Sequence, residues 1–235
     1  KDDMQDLLRV GLINIYDVAN EHFDNELLKA AISMDGVLGS HMGPRSPNTV
    51  YGYLYRHLGD YYGMKGPAVV AGGMGAVGAA FAKAAESAGV EVRYGHPVAK
   101  IVMEDHRAVG VELSDGEVLR ADSVISNADP KTTLEKLVGY PHLDAGFARR
   151  VHNFRSKGVT AKLHLALEEL PVFTGLDSSN AGDRLLLAPT MDYVERAFNH
   201  AKYGEFSTAP AMEINIPTVH DSSLAPDGKH VLSAV

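Results

Sequence analysis

The 235-residue sequence contains no cysteine, which excludes disulfides, thiolate metal sites and a cysteine nucleophile. It has no run of Lys or Arg, and 30 acidic against 22 basic side chains give a formal net charge of −8. A nucleic-acid-binding surface is therefore not expected. No apolar run approaches the roughly 18 residues of a membrane span, and no signal peptide is recognisable. The expected location is cytoplasmic, with peripheral contact at a membrane left open. The motifs G-x-S-x-G and H-E-x-x-H are both missing. The 11 histidines are scattered, with no i, i+4 pair around a carboxylate, so no metal site is expected. Internal repeats and low-complexity tracts are absent too. The chain opens at Lys1 and stops at "KHVLSAV", which reads as the middle of a strand; the expectation is a processed or trimmed segment of a longer protein.

What is there is ordinary for a globular protein: 45% hydrophobic and 22% charged residues, and enough length for one large domain or two small ones. Residues 2–38 predict two helices. Leu7, Leu8, Leu12, Ile15 and Val18 recur at helical spacing in the first, and Leu27, Leu28, Ala31 and Ile32 in the second. Asp24 or Asn25 suits the second N-cap, and Gly36 with Gly39 suits its end. "VYGYLYRHLGDYYGM" predicts a third helix whose Tyr51, Leu54, Tyr55 and Leu58 stripe reads as core.

The pattern changes at Gly66-Pro67. A short strand "AVV", an Ala-rich helix over 75–88 and a strand "VEVRYG" follow, then an antiparallel meander over 98–126. Asp129-Pro130 opens a helix that stops at Gly139, and another helix covers 142–153. "GVTAKLHLALEEL" alternates as a strand with Val159, Ala161, Leu163 and Leu165 on one side. A helix over 189–203 and two strands, "AMEINIPT" and "HVLSAV", complete the chain. The expected fold class is α/β, mixed α+β, with a mixed sheet toward the C-terminus.

Residues 73–78 spell G-x-G-x-x-G within "VVAGGMGAVG". A dinucleotide site needs a preceding strand, a following helix, and an acid at the end of the next strand to accept the ribose hydroxyls. The helix is good, with Val77, Phe81, Ala84 and Ala88 as its stripe. The preceding strand is short, however, and the next one ends in Tyr94-Gly95-His96 without a carboxylate. The string reads as a glycine-rich helix start that needs close packing. An NAD-binding domain built on Gly73–Gly78 remains the weaker alternative.

The sixty residues around that string carry more information. "GGM", an Ala-rich helix, "GVEVR", "PVAKI", "GVELSDG" and "ADSVISNADP" follow in that order. This order resembles the middle of phytoene-desaturase-like FAD-dependent oxidoreductases, nearest to their pyridine nucleotide-disulphide oxidoreductase domain-containing branch. The end, "EINIPTVHDSSLAPDGKHVLSAV", is similar to the same family, and the likeness spans nearly the whole chain. It implies a flavin domain whose middle part is 67–128, and a substrate domain contributed by 1–66, its helical part, and by 129–235, its sheet and helices. The family's N-terminal G-x-G-x-x-G and its C-terminal Gly-rich flavin segment do not occur in these residues. FAD is thus implied for the complete protein, while this segment alone need not bind it.

By the same resemblance, the backbone at Val98 would lie against the FAD adenine. Asn127, Ala128 and Asp129 in "SNADP" would lead toward the cofactor, and Gly72 and Gly73 would allow close approach near the domain junction. Read from its residues alone, Val98 is a plain β-core valine. No catalytic side chain is assigned, because a flavin takes hydride itself and the protein mainly orients substrate and excludes water. The expected partner is an apolar, isoprenoid or lipid-like small molecule, oxidised by a dehydrogenase or desaturase. Composition does not separate a cavity lining from a core in the Leu- and Tyr-rich helices, so a non-catalytic interaction or lipid-binding module stays the alternative. His220-Asp221 reads as turn chemistry rather than a charge relay. Arg149, Arg150 and Lys157 read as a solvated face.

Overall fold

A computed structural model describes residues 2–64 and 68–235. It divides into two compact units, Lys1–Ala80 with Lys157–Val235, and Phe81–Ser156. The change of character expected at Gly66-Pro67 lies outside the described residues.

In the first unit, the single helix expected across Leu7–Val18 is two. Helix α1 (Asp2–Gly11) ends before Asn14, and α2 (Ile15–His22) begins after it. The Asn14 side chain accepts the Asp17 N–H at 2.8 Å, giving an orphan amide of the new helix a partner. Asn25, rather than Asp24, caps α3 (Glu26–Val37) by accepting the Leu28 N–H at 3.0 Å. Gly36 was expected to end this helix but lies inside it, where it meets α4 (Thr49–Arg56). A Cβ on Gly36 would come within 2.8 Å of the Thr49 carbonyl oxygen, and one on Gly52 within 2.5 Å of the Gly36 carbonyl oxygen. The two backbones therefore cross in direct contact. Thr49 is fully buried beside this crossing; its hydroxyl accepts the Ile15 N–H at 2.8 Å and donates to the Ser46 carbonyl at 2.9 Å.

That crossing overturns the stripe expected to be core. Only the glycine side of α4 can approach α3 so closely, so Thr49 and Val50 are buried. Tyr51, Leu54 and Tyr55, with Leu58 at the start of the short α5 (Leu58–Tyr61), are 62%, 47%, 70% and 51% exposed. Helix α6 (Met74–Ser87) follows and has no buried residue. The strands expected on either side of it, "AVV" and "VEVRYG", do not form. Neither has a partner among the described strands, and a strand without one leaves its ladder groups unpaired.

The second unit is built on the expected meander. Strands β1 (Val98–Glu104), β2 (Arg107–Leu113) and β3 (Val118–Arg120) pair antiparallel in that order. Ile101 and Leu113 are buried, and β3 stops at Arg120 rather than continuing toward residue 126. A helix starts at Pro130 and widens to π-type hydrogen bonding over Thr132–Val138, ending where the Gly139 N–H reaches back to the Leu134 carbonyl at 3.0 Å. Helix α7 (Ala145–His152) is capped by Asp144, which accepts the Phe147 N–H at 3.0 Å, and is anchored by buried Val151.

The rest of the first unit holds β4 (Leu163–Leu167), β5 (Leu185–Leu187), α8 (Met191–Lys202), β6 (Met212–Asn215) and β7 (His230–Ala234). The sheet order is β4-β7-β6-β5, and every pairing is antiparallel where a mixed sheet was expected. Strand β4 is shorter than its alternating pattern, and Leu163 and Leu165 are exposed. Ala30, Met34 and Val37 of α3 pack with Ala188 and with Val194 of α8 in one core, while Ile216, Leu232 and Ala234 form a second. The fold class is α/β in the mixed sense.

Candidate functional site

The double glycine before α6 makes a tight turn: Gly72 and Gly73 both have positive φ, 76° and 81°, a region that costs a side-chain-bearing residue. The Gly73 N–H bonds the Val70 carbonyl at 2.9 Å, and the Ala76 N–H bonds the Gly73 carbonyl at 3.1 Å. What holds this turn is remote in sequence. The Gly72 N–H donates to Asp221 Oδ2 at 2.7 Å, and a Cβ on Gly73 would press on Leu224 at 3.2 Å. Asp221 also accepts the Ser223 N–H at 3.0 Å and the Ser223 hydroxyl at 2.6 Å. The Ser223 hydroxyl, then the Gly72 and Ser223 amides, hold its carboxyl below the usual carboxylate range. Gly75 and Gly78 face open space. So within this string the glycines the fold requires are Gly72 and Gly73, which form the turn.

His220 does not pair with Asp221. Its Nε2 lies 2.7 Å from the Gly182 carbonyl oxygen, so no charge relay forms and the turn reading holds. The sequence signal for Asp221 was its turn chemistry. Its bond to Gly72 had no signal, since nothing in either segment names the other.

Val98 opens β1 opposite Leu113 and is 40% exposed. Beside it lies a shallow concavity of about 290 Å³ lined by Gly95, His96, Pro97, Leu113, Ser114 and Asp115. Asn127, Ala128 and Asp129 are exposed in the approach to the π-helical segment. The carboxylate of Asp129 works for that helix: it accepts the Lys131 N–H at 3.0 Å and the Thr132 N–H at 3.1 Å. Bonding to Thr132, by side chain and amide, and to Lys131 keeps its carboxyl below the usual range. The Thr133 hydroxyl, in turn, bonds the Ala128 carbonyl at 3.2 Å and the Ser126 hydroxyl at 2.7 Å. Val98 and the 127–129 segment belong to the Phe81–Ser156 unit, whereas Gly72 and Gly73 belong to the other.

A polar cluster went unnoticed in the sequence. Asp35 of α3 binds Arg56 at 3.0 Å, Arg184 at 2.5 Å and His57 Nε2 at 3.2 Å. Glu213 of β6 binds the same two arginines at 2.9 and 2.6 Å. The two carboxylates are largely buried, their side chains 11% and 13% exposed. Burial opposes the charge of Arg184, but Asp35 and Glu213 outweigh it and raise its pKa above the ordinary value. The cluster ties α3 and α4 to the sheet; two carboxylates face two guanidinium groups, so their opposite charges balance, which makes it a structural hub rather than a binding site.

The profile of the family described as flavin containing amine oxidoreductase matches residues 36–233. The chain belongs to that family. Pyridine nucleotide-disulfide oxidoreductase domain-containing protein 2 of Mus musculus is 33% identical over 233 residues, covering 92% of this chain and 39% of the relative. The zeta-carotene-forming phytoene desaturase of Myxococcus xanthus is 30% identical over 233 residues, covering 93% of this chain and 39% of the relative. The resemblance carried by the "GGM" to "SNADP" stretch thus holds, in family and in branch. An oxidoreductase from Methanosarcina mazei superposes with a TM-score of 0.61 at 22% identity, covering 94% of this chain and 46% of that one, and bears on the fold alone. The chain spans about two-fifths of the length of the two curated relatives. Among the described residues, no helix is long and apolar enough to cross a membrane.

Proposed function

We propose that these residues are the middle part of an FAD-dependent oxidoreductase, a dehydrogenase or desaturase of an apolar, isoprenoid or lipid-like substrate. The family match over residues 36–233 carries this reading, and the relative named for phytoene supports the apolar substrate. A cytoplasmic setting with peripheral membrane contact suits such a substrate.

Bound FAD supplies the hydride acceptor. The protein's part is to hold it and to orient substrate. Residues 67–128 are assigned to the flavin domain, and 1–66 and 129–235 to the substrate domain. In one unit the backbone of Val98 is the adenine contact. The concavity of about 290 Å³ beside it lies at the lower edge of the volumes that ligands occupy, about 300–1,000 Å³. It therefore fits one ring system and not a whole dinucleotide. Asn127, Ala128 and Asp129 are further contacts, Asp129 through backbone since its carboxylate caps a helix. In the other unit, Gly72 and Gly73 form a positive-φ turn whose backbone allows close approach. The exposed stripe of Tyr51, Leu54, Tyr55 and Leu58 supports an apolar lining in place of a core.

The test is the complete protein's visible flavin absorbance and its bleaching, without oxygen, by a detergent-dispersed polyene precursor. Colour that bleaches supports the proposal. A colourless protein that takes up no FAD overturns it. Flavin that never bleaches while apolar ligands bind favours the second reading, a binding module, which the same exposed stripe also supports.

A further inference from the structure

The stretch from Ala145 to Leu167 contains no Asp or Glu and carries Arg149, Arg150, Arg155, Lys157 and Lys162, in a chain of net charge −8. Within the Phe81–Ser156 unit this charge sits on α7 and the turn after it. Buried Val151 fixes the inner face of the helix, which leaves Arg149, Arg150 and His152 on the exposed side. Phe147 and Phe154 are 38% and 53% exposed, and the Arg150 guanidinium lies 5.7 Å from the centre of the Phe147 ring. Among the described ion pairs, Arg149, Arg150 and Arg155 enter none, while His152 meets Glu135 at 3.5 Å. Asp144 is engaged at the opposite end of the helix, on the Phe147 amide.

We propose that α7 and the following turn dock on an anionic lipid surface. Cations in the last turn of a helix also complement its negative end, which accounts for Arg149 and Arg150. That effect fades within the turn. It explains neither Arg155 nor the two exposed rings, Phe147 before Arg149 and Phe154 between Arg150 and Arg155. Aromatic rings beside basic side chains on an exposed helix suit the headgroup boundary, where rings enter the acyl edge and cations meet phosphate and carboxylate groups. The lipid surface is the occupant favoured over an acidic protein because the rings are spread along an exposed helix and its exit. The inference rests on the peripheral membrane contact of the proposed function and is read by binding alone, so its failure would leave the flavin chemistry standing.

The test is cosedimentation of the complete protein with vesicles of phosphatidylcholine and with vesicles of equal phosphatidylcholine and phosphatidylserine. Binding is expected on the mixed vesicles only, and is lost at high salt. Each cation contributes about fivefold, so the triple variant Arg149→Gln, Arg150→Gln, Arg155→Gln weakens binding about a hundredfold. The corresponding triple Lys variant retains it. Phe154→Ser weakens binding without changing its salt dependence, which separates ring insertion from charge and does not depend on the triple variant folding. Equal binding to neutral vesicles, undiminished binding by a folded triple Gln variant, or capture of soluble polyglutamate in place of vesicles overturns the proposal. The last outcome would point to an acidic protein partner.

Discussion

The backbone N–H of Gly72 donates to Asp221 Oδ2 at 2.7 Å, joining positions 149 residues apart. This bond fixes the turn before α6 to the turn before β7. Asp221→Asn keeps the shape and removes the charge, so faster hydrogen exchange at the Gly72 amide is expected. The pH dependence follows from the carboxyl's lowered pKa. A carboxyl whose folded pKa lies below its unfolded value of about 3.9 stabilises the fold above that value and loses its contribution as pH falls through the folded one. Wild type and Asp221→Asn should therefore differ at neutral pH and converge in acid. Denaturant unfolding across that range checks it, and a gap that persists below the transition would contradict it.

Gly52→Ala should destabilise the chain. Its new Cβ would sit 2.5 Å from the Gly36 carbonyl oxygen, and overpacking against backbone costs about 1–3 kcal/mol. Better helix propensity returns up to about 1 kcal/mol, so the net change is a loss. A lower thermal midpoint is the readout; an unchanged one would mean that α3 and α4 separate at no cost.

Gly78→Ala should act in the opposite direction. Nothing lies within 4 Å of the added Cβ, and alanine gains about 1 kcal/mol over glycine inside a helix. A raised thermal midpoint in the 235-residue chain is expected, with no NAD binding to lose. NAD binding that the substitution abolishes would restore the dinucleotide reading of the string.

Glu213→Gln removes one of two carboxylates facing Arg56 and Arg184. Breaking a buried pair costs about 3–5 kcal/mol; with both arginines partly exposed, at 35% and 21%, about 2 kcal/mol is expected. The loss should be smaller in the double variant Arg184→Met, Glu213→Gln than the sum of the single losses, which a double-mutant cycle measures. Strict additivity would mean that the two side chains do not interact.

Much of the local structure was legible because its causes are local. Asn25 and Asp129 sit where caps were sought or helices began, and the meander of β1 to β3 follows from its turns. The failures have one kind of cause. Tyr51, Leu54, Tyr55 and Leu58 form a good apolar stripe, but periodicity reports that a face exists and not which face is packed. Close approach of Gly36 and Gly52 chose the other side of α4. The short strands around α6 failed because a strand needs a neighbour, and the residues themselves do not name one. For the candidate cofactor contacts, Gly72 and Gly73 came from the family resemblance of the "GGM" stretch, whereas the engagement of the Asp129 carboxylate in a cap was visible only as a helix signal.

By itself the sequence determined the α/β class, most helix starts, the meander and the membership of a flavin oxidoreductase family, since caps, turns, period and ordered motifs act over a few residues. Only the tertiary structure decided that Asp221 anchors the Gly72 turn, that Asp35 and Glu213 share two arginines, and that α4 turns its aromatic stripe outward. Those outcomes depend on which distant segments come within a few ångströms, and no short stretch of the chain encodes its partner.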